Sequence, residues 1–188
     1  MSHGSLIVLS GPSGVGKGTI YTRLLKIMPD LKVSVSATTR HPRTGEKDGV
    51  HYYFMSKEEF AEKREHGEFL EWAETVGNYY GTPKTPVINT LAQGKDILLE
   101  IDVKGARQIK AAYPDCVTIF VLPPSEEELE KRLRGRGTES DEQIAARLAL
   151  AKSELAISGE FDHRIINDDL DKAVNEVKDI ILKIKKGA

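Results

Sequence analysis

Residues 6–19 read LIVLSGPSGVGKGT, and the fold follows from how that stretch changes character halfway along. Leu6, Ile7, Val8 and Leu9 form a short continuous apolar run, as expected of a parallel strand buried on both faces. Gly11, Gly14 and Gly16 then let the backbone turn its N–H groups inward, and Lys17 completes the GxxxxGK of a P-loop. Such a nest at a helix N-terminus holds anionic phosphates. Gly11, Pro12, Ser13, Gly14, Val15, Gly16, Lys17, Gly18 and Thr19 are therefore expected to hold a nucleoside triphosphate. The motif departs at position 18, where Gly18 stands in place of the hydroxyl residue that usually meets the metal; the hydroxyl comes one residue later, on Thr19. A magnesium ion must then lean on phosphates, waters and a carboxylate elsewhere.

Outward from the P-loop, Ile20, Leu24, Leu25 and Met28 fall at helical spacing, and Pro29-Asp30 stops that helix. A second strand is expected at Leu31–Val35. The polar loop TTRHPRTGEKDGV then leads to an aromatic strand, a charged helix over 57–66 and an alternating strand EFLEWAETV, after which GNYYGTP is expected to turn the chain back. A helix over about 83–91 precedes DILLEID, a fully apolar strand that closes on Glu100 and Asp102. The segment VKGARQIKAAY reads as the return helix, VTIFVLPP as the next strand, and SEEELEKRLRGRG as a helix opening with a capping box from Ser125 to Glu128. TESD is turn-like; QIAARLALAKSELA is a further helix carrying Arg147, HRIIN a last strand, and residues 169–186 an amphipathic closing helix. Strands alternating with helices predict an α/β fold with a doubly wound, mostly parallel sheet.

A chain of 188 residues suggests one core with an inserted lobe or two, and a net charge of −2 argues against nucleic acid as the main partner. The single Cys116 excludes an internal disulfide framework and fits a reducing cytosol. No stretch approaches a membrane span and no signal peptide precedes the first strand, so the expected location is the cytoplasm. The five histidines show no metal-ligand spacing. In the polar loop, Arg40 and Arg43 flank a proline, with Tyr52 beyond. Two guanidiniums held together repel unless an anion sits between them, and a phosphate monoester suits their planar forks.

Taken in order, GPSGVGKGT, SATTRHPRTGEKDGVHYYF, EFLEWAETVGNYYGT, LEIDVKGA and RLRGRGTE closely resemble the guanylate kinase family, which phosphorylates GMP with ATP. The resemblance runs from about Ser5 to Lys183. It implies a unit over 4–184: a P-loop core (about 4–35, 83–124 and 160–186), an inserted mixed α+β GMP lobe (36–82) and a helical lid (125–159). By that resemblance Arg40, Arg43, Tyr52 and Tyr80 hold the GMP phosphate, and Ser36, Glu71 and Thr82 read the base with Asp102 nearby. The chemistry agrees. Guanine offers N1–H and the N2 amine side by side to the Glu71 carboxylate, and the Ser36 and Thr82 hydroxyls can donate to O6. Adenine would leave that carboxylate unpaired, a mismatch that discriminates by roughly 10⁴.

On the donor side the resemblance makes RLRGRGTE with Arg147 a lid over ATP. Lys17, Arg40, Arg136 and Arg147 are the expected catalytic cations, Arg134 shares their work, and Asn167 lies near the adenine. Arg132 is expected only to complement the dipole at its helix C-terminus. Magnesium travels with ATP, and Asp102 is the expected contact through water. The implied partners are ATP and GMP, with dGMP acceptance left open; neither nucleic acid nor membrane is implied, and the state is monomer or homodimer. The rival reading is a non-catalytic guanylate-kinase-like module that binds phosphopeptides; such domains generally have an eroded P-loop, whereas GPSGVGKGT is intact. A GTP-hydrolysing switch would need an NKxD-type guanine reader, which is missing here.

Overall fold

A computed structural model describes residues 4–75, 77–135 and 140–187, with side chains to 184. The buried run Leu6–Ser10 forms β1, the middle strand of a five-stranded parallel sheet. The others are β2 (Lys32–Val33), β7 (Ile97–Glu100), β8 (Val117–Leu122) and β9 (His163–Ile166), in the order β2-β7-β1-β8-β9. Alternation along β1 sorts the core onto two faces. Ile7 and Leu9 pack with Ile20 and Leu24 of α1 (Lys17–Ile27) and with Val174, Val177 and Ile181 of α7 (Leu170–Gly187). Leu6 and Val8 pack on the other side with Val87 of α3 (Lys84–Ala92) and Val103, Ala106 and Ile109 of α4 (Val103–Ala112). With β7 and β8 both parallel to β1, all three strands deliver their C-terminal ends to the edge where the glycine turn begins.

A second sheet of four strands has the order β4-β3-β6-β5, from β3 (Ala37–Thr38), β4 (Tyr53–Phe54), β5 (Phe69–Thr75) and β6 (Asn78–Pro83). The stretch expected only to turn the chain back is itself the strand β6, paired antiparallel with both β3 and β5, and the reversal sits at Gly77, where φ is +73°. Its glycine misleads for a packing reason. A Cβ on Gly81 would lie 3.0 Å from Phe69 and 3.1 Å from Phe60, so glycine is what lets the sheet seat against α2 (Lys57–Glu65). Phe60 stacks there between Phe69 and Tyr79, at ring separations of 4.4 and 5.5 Å. The outer strand β5 meets α4, whose Gln108 amide accepts from the Trp72 N–H at 3.2 Å and donates to the Trp72 carbonyl at 2.7 Å.

Helices α5 (Glu126–Arg134) and α6 (Asp141–Ala156) pack on each other through Leu129, Leu133, Leu148 and Ala151. The complete capping box is on α6, where Ser140 and Gln143 bond reciprocally, so Ser140 and Asp141 open a helix that starts earlier than expected. At α5 the Ser125 hydroxyl does accept from the Glu128 N–H, but the Glu128 carboxylate turns instead to the Arg132 Nε at 3.1 Å. The second strand is shorter than expected, two residues instead of five, because the chain leaves the core sheet at Ser34 for the small one.

Candidate active site

At the C-terminal edge of β1 the chain adopts positive φ at Gly11, Gly14 and Gly16 (+138°, +87° and +98°). Each is also hemmed in. A Cβ at Gly11 would lie 2.5 Å from the Val121 carbonyl oxygen, and one at Gly16 would lie 2.4 Å from the Asn167 amide nitrogen. Pro12 and Val15 are buried in the turn, while Ser13, Gly18 and Thr19 are exposed to solvent. The Lys17 ammonium reaches back over the turn to the carbonyls of Gly11, at 2.5 Å, and Pro12, at 3.0 Å. A glycine turn in left-handed conformation that carries a lysine at a helix N-terminus has the parts of a polyphosphate receptor.

The turn is braced from behind. Asn167, only 6% exposed, donates its side-chain amide to the Val15 carbonyl at 2.8 Å. Arg132 donates to the same carbonyl at 3.4 Å and to the Asn167 carbonyl at 3.0 Å. Arg132 is thus a tie between α5, the P-loop and the segment after β9, beyond the expected cation at a helix end. Of the expected lid arginines, Arg147 donates from α6 to the Ser13 hydroxyl at 2.8 Å, across the phosphate side of the turn. Arg134 is held at the surface by Glu130 and Asp141, at 2.8 and 2.5 Å. Its guanidinium is thus paired with a carboxylate from each of α5 and α6. Arg136 lies outside the described residues.

The small sheet supplies the second half. Its register pairs Glu71 with Thr82 and Thr38 with both Tyr80 and Phe54; carried back two residues, it sets Ser36 beside Tyr52 and Thr82. Because side chains alternate, Ser36, Tyr52, Tyr80, Thr82 and Glu71 share the face opposite α2. The rings of Tyr52 and Tyr80 meet edge-on at 6.2 Å, and the Arg40 guanidinium lies over the rings of Tyr52 and Phe54 at 5.5 and 5.9 Å. Arg43 is exposed in the loop beside it.

Glu71 is the most constrained member. It is 5% exposed, its Oε1 accepts from the Thr82 hydroxyl at 2.6 Å, and its other oxygen lies so close to α4 that a Cβ on Gly105 would sit 2.3 Å from it. Burial drives its pKa up to about 7, with the neighbouring Asp102 charge adding to the rise and Thr82 opposing it. Thr82 here donates to Glu71, where the sequence reading had it donating to a base. Asp102 caps α4 by accepting from the Gly105 N–H at 2.8 Å and accepts from the Thr75 hydroxyl at 3.2 Å. Each of its oxygens thus accepts one hydrogen bond from the protein.

Two carboxylates take places to which the sequence reading assigned no role. Glu100, at the end of β7, stands 3.8 Å from where a Cβ on Gly18 would be; burial raises its pKa and the Lys17 charge opposes the rise. Its proximity to the P-loop follows from β7 lying beside β1, a pairing that no local motif signals. Glu46 grips Arg40 with both oxygens, at 2.9 and 3.0 Å, and accepts from the Arg43 N–H at 2.7 Å. It sat unnoticed in a charged polar loop.

The guanylate kinase family model matches residues 3–184. The chain is 56% identical over 178 residues to the guanylate kinase of Synechocystis sp., spanning 95% of this chain and 93% of that one. It is 52% identical over 181 residues to the guanylate kinase of Carboxydothermus hydrogenoformans, spanning 96% and 89%. Among solved structures, the crystal structure of guanylate kinase from Anaplasma phagocytophilum superposes with a TM-score of 0.81 at 35% identity, covering 97% of this chain and 86% of that one.

Proposed function

We infer that this chain, which belongs to the guanylate kinase family, is an ATP:GMP phosphotransferase, moving the γ-phosphate of ATP to GMP to give ADP and GDP. The observation that carries the reading is the common face of the small sheet. It bears a buried carboxylate at one end and a guanidinium with two tyrosines at the other. That spacing of chemistry suits a guanine base and its phosphate monoester. Glu71, ionised, accepts from guanine N1–H and N2–H; Ser36, Thr82 and Asp102 complete the base pocket. Arg40, Arg43, Tyr52 and Tyr80 hold the phosphate.

The donor triphosphate belongs on residues 11–19, with Lys17 on its terminal phosphates. Phosphoryl transfer through a loose transition state needs alignment and positive charge more than covalent chemistry. Lys17, Arg40 and Arg147 would supply that charge, as would Arg136. Asn167 and Arg132 keep the loop carbonyl of Val15 turned away from the anion. Division into a core, a GMP lobe over 36–82 and a lid over 125–159 is part of this proposal, as is closure of the lobes to exclude water.

Magnesium is expected with ATP, and the residues fit it: Glu100 offers a hard oxygen donor beside Gly18. When bound, the ion would neutralise charge on the β- and γ-phosphate oxygens. No helix among the described residues is long and apolar enough to cross a membrane. The buried free thiol of Cys116 agrees with the proposed cytoplasmic location.

The test is ADP release in a coupled assay with GMP, dGMP, AMP, UMP or no acceptor. GMP should be strongly preferred to AMP. Equal turnover of AMP would overturn the role of Glu71, and appreciable turnover with no acceptor would mark a hydrolase.

A further inference from the structure

The polar loop contains its own anion. Two arginines sharing a loop need a negative charge to hold them, and in this structure Glu46 provides it. Its Oε2 accepts from Arg40 Nη1 at 3.0 Å and its Oε1 from Nη2 at 2.9 Å, while the Arg43 N–H donates to Oε2 at 2.7 Å. Arg40 Nη1 also donates to the His41 carbonyl at 2.7 Å. Both side chains are mostly shielded, at 16% and 18% exposure, so the pair is neither swamped by solvent nor deep in the core. The pair is strong enough to hold the Glu46 carboxyl below the usual carboxylate range, chiefly through the Arg40 hydrogen bond.

The direction of the grip matters. A guanidinium has two forks: the end-on pair Nη1/Nη2 and the side-on pair Nε/Nη2. Glu46 occupies the end-on fork, and His41 takes the remaining Nη1 hydrogen. The side-on fork keeps the Nε–H and the second Nη2–H, with the Tyr80 hydroxyl in hydrogen-bonding contact with the guanidinium and the Tyr52 ring beneath it, so an entering phosphate meets the fork and that hydroxyl together. We propose that Glu46 is a positioning residue for the acceptor: it fixes Arg40 by one fork so that the other is presented, already oriented, to the phosphate of the incoming nucleoside monophosphate. The cost is some positive charge; the gain is a donor pair that need not be ordered at binding. Arg43, whose backbone is tied to the same carboxylate, leaves the trio with a net charge of one cation for the phosphate to meet.

This rests on the assignment of GMP as acceptor, and the experiment separates the two. Steady-state kinetics are measured for the wild type, Glu46→Gln and Arg40→Lys, singly and combined, together with inhibition by guanosine, which has the base but no phosphate. Losing a charge-assisted pair should raise KM for GMP roughly 10- to 100-fold in Glu46→Gln, with kcat changed less. KM for ATP and the guanosine inhibition constant should be unchanged. Glu46→Asp, which keeps the charge and shortens the reach, should recover part of the loss, and it carries the same comparison if the glutamine variant fails to fold. In the Arg40→Lys background the Glu46→Gln effect should vanish. An unchanged KM for GMP overturns the inference, and so does a guanosine constant that rises in parallel, which would mean the whole lobe had been disturbed. A wild type that releases no ADP with GMP would instead overturn the acceptor assignment itself.

Discussion

Replacing Glu71 by Gln tests base recognition and burial energetics together. In the folded protein the Glu71 carboxyl titrates near 7 against a usual value of 4.5, because burial disfavours its charge. The sign follows directly. A raised pKa in the folded state stabilises the fold most at low pH, and that contribution fades as pH climbs from about 4.5 through about 7. With one pKa unit worth about 1.4 kcal/mol, the loss is on the order of 3 kcal/mol in the ligand-free protein. GMP reverses the preference, since accepting from both N1–H and N2–H requires the ionised form. With half-ionisation near pH 7, the competent fraction rises about tenfold between pH 6 and pH 8. Guanosine is the cleaner probe, because it carries no phosphate that titrates in this range. Its inhibition constant should fall about tenfold from pH 6 to pH 8 in the wild type. In Glu71→Gln it should be flat and weaker by roughly 10²-fold, from the loss of charge-assisted acceptance. Denaturant melts over the same range should lose the wild-type decline in the glutamine variant. A wild-type guanosine constant that ignores pH, or a glutamine variant that keeps the wild-type slope, would refute the reasoning.

Gly105→Ala places a methyl group where the Glu71 carboxylate lies, 2.3 Å from Oε2, and should raise KM for GMP far more than KM for ATP in the same assay. Gly16→Ala combines a +98° φ with a Cβ 2.4 Å from the Asn167 amide; it should lower stability by about 1–3 kcal/mol in urea melts and weaken ATP binding. Glu100→Gln should raise the magnesium concentration needed for half-maximal ADP release about 10- to 100-fold while leaving guanosine inhibition unchanged.

The core was legible because β1 is buried on both faces and its sequence says so: four residues without a polar side chain before Ser10, then glycines that only a turn requires. The same directness failed at β6. Tyr79, Tyr80 and Gly81 look like turn material until Phe60 is placed against the glycine, and that contact comes from a helix some twenty residues away. Capping was misjudged for a related reason. Ser125 and Ser140 both sit three residues before a Glu or Gln, but Glu128 has Arg132 one helical turn on and chooses it. The residues proposed to read guanine and phosphate could be named from their neighbours in the chain. The contacts of Glu46, Glu100 and Arg132 could not, since what distinguishes each is a partner brought in by the fold: an arginine fork, the β7–β1 pairing and the Val15 carbonyl.

The glutamine that reaches from α4 to the outer strand of the small sheet also bears on how this protein behaves when crowded. A border strand with unmet amides and carbonyls is a template on which a foreign strand can grow. At Trp72 one side-chain amide mimics a neighbouring backbone, meeting the donor and the acceptor together, so the border is closed at its middle by a single residue from a helix.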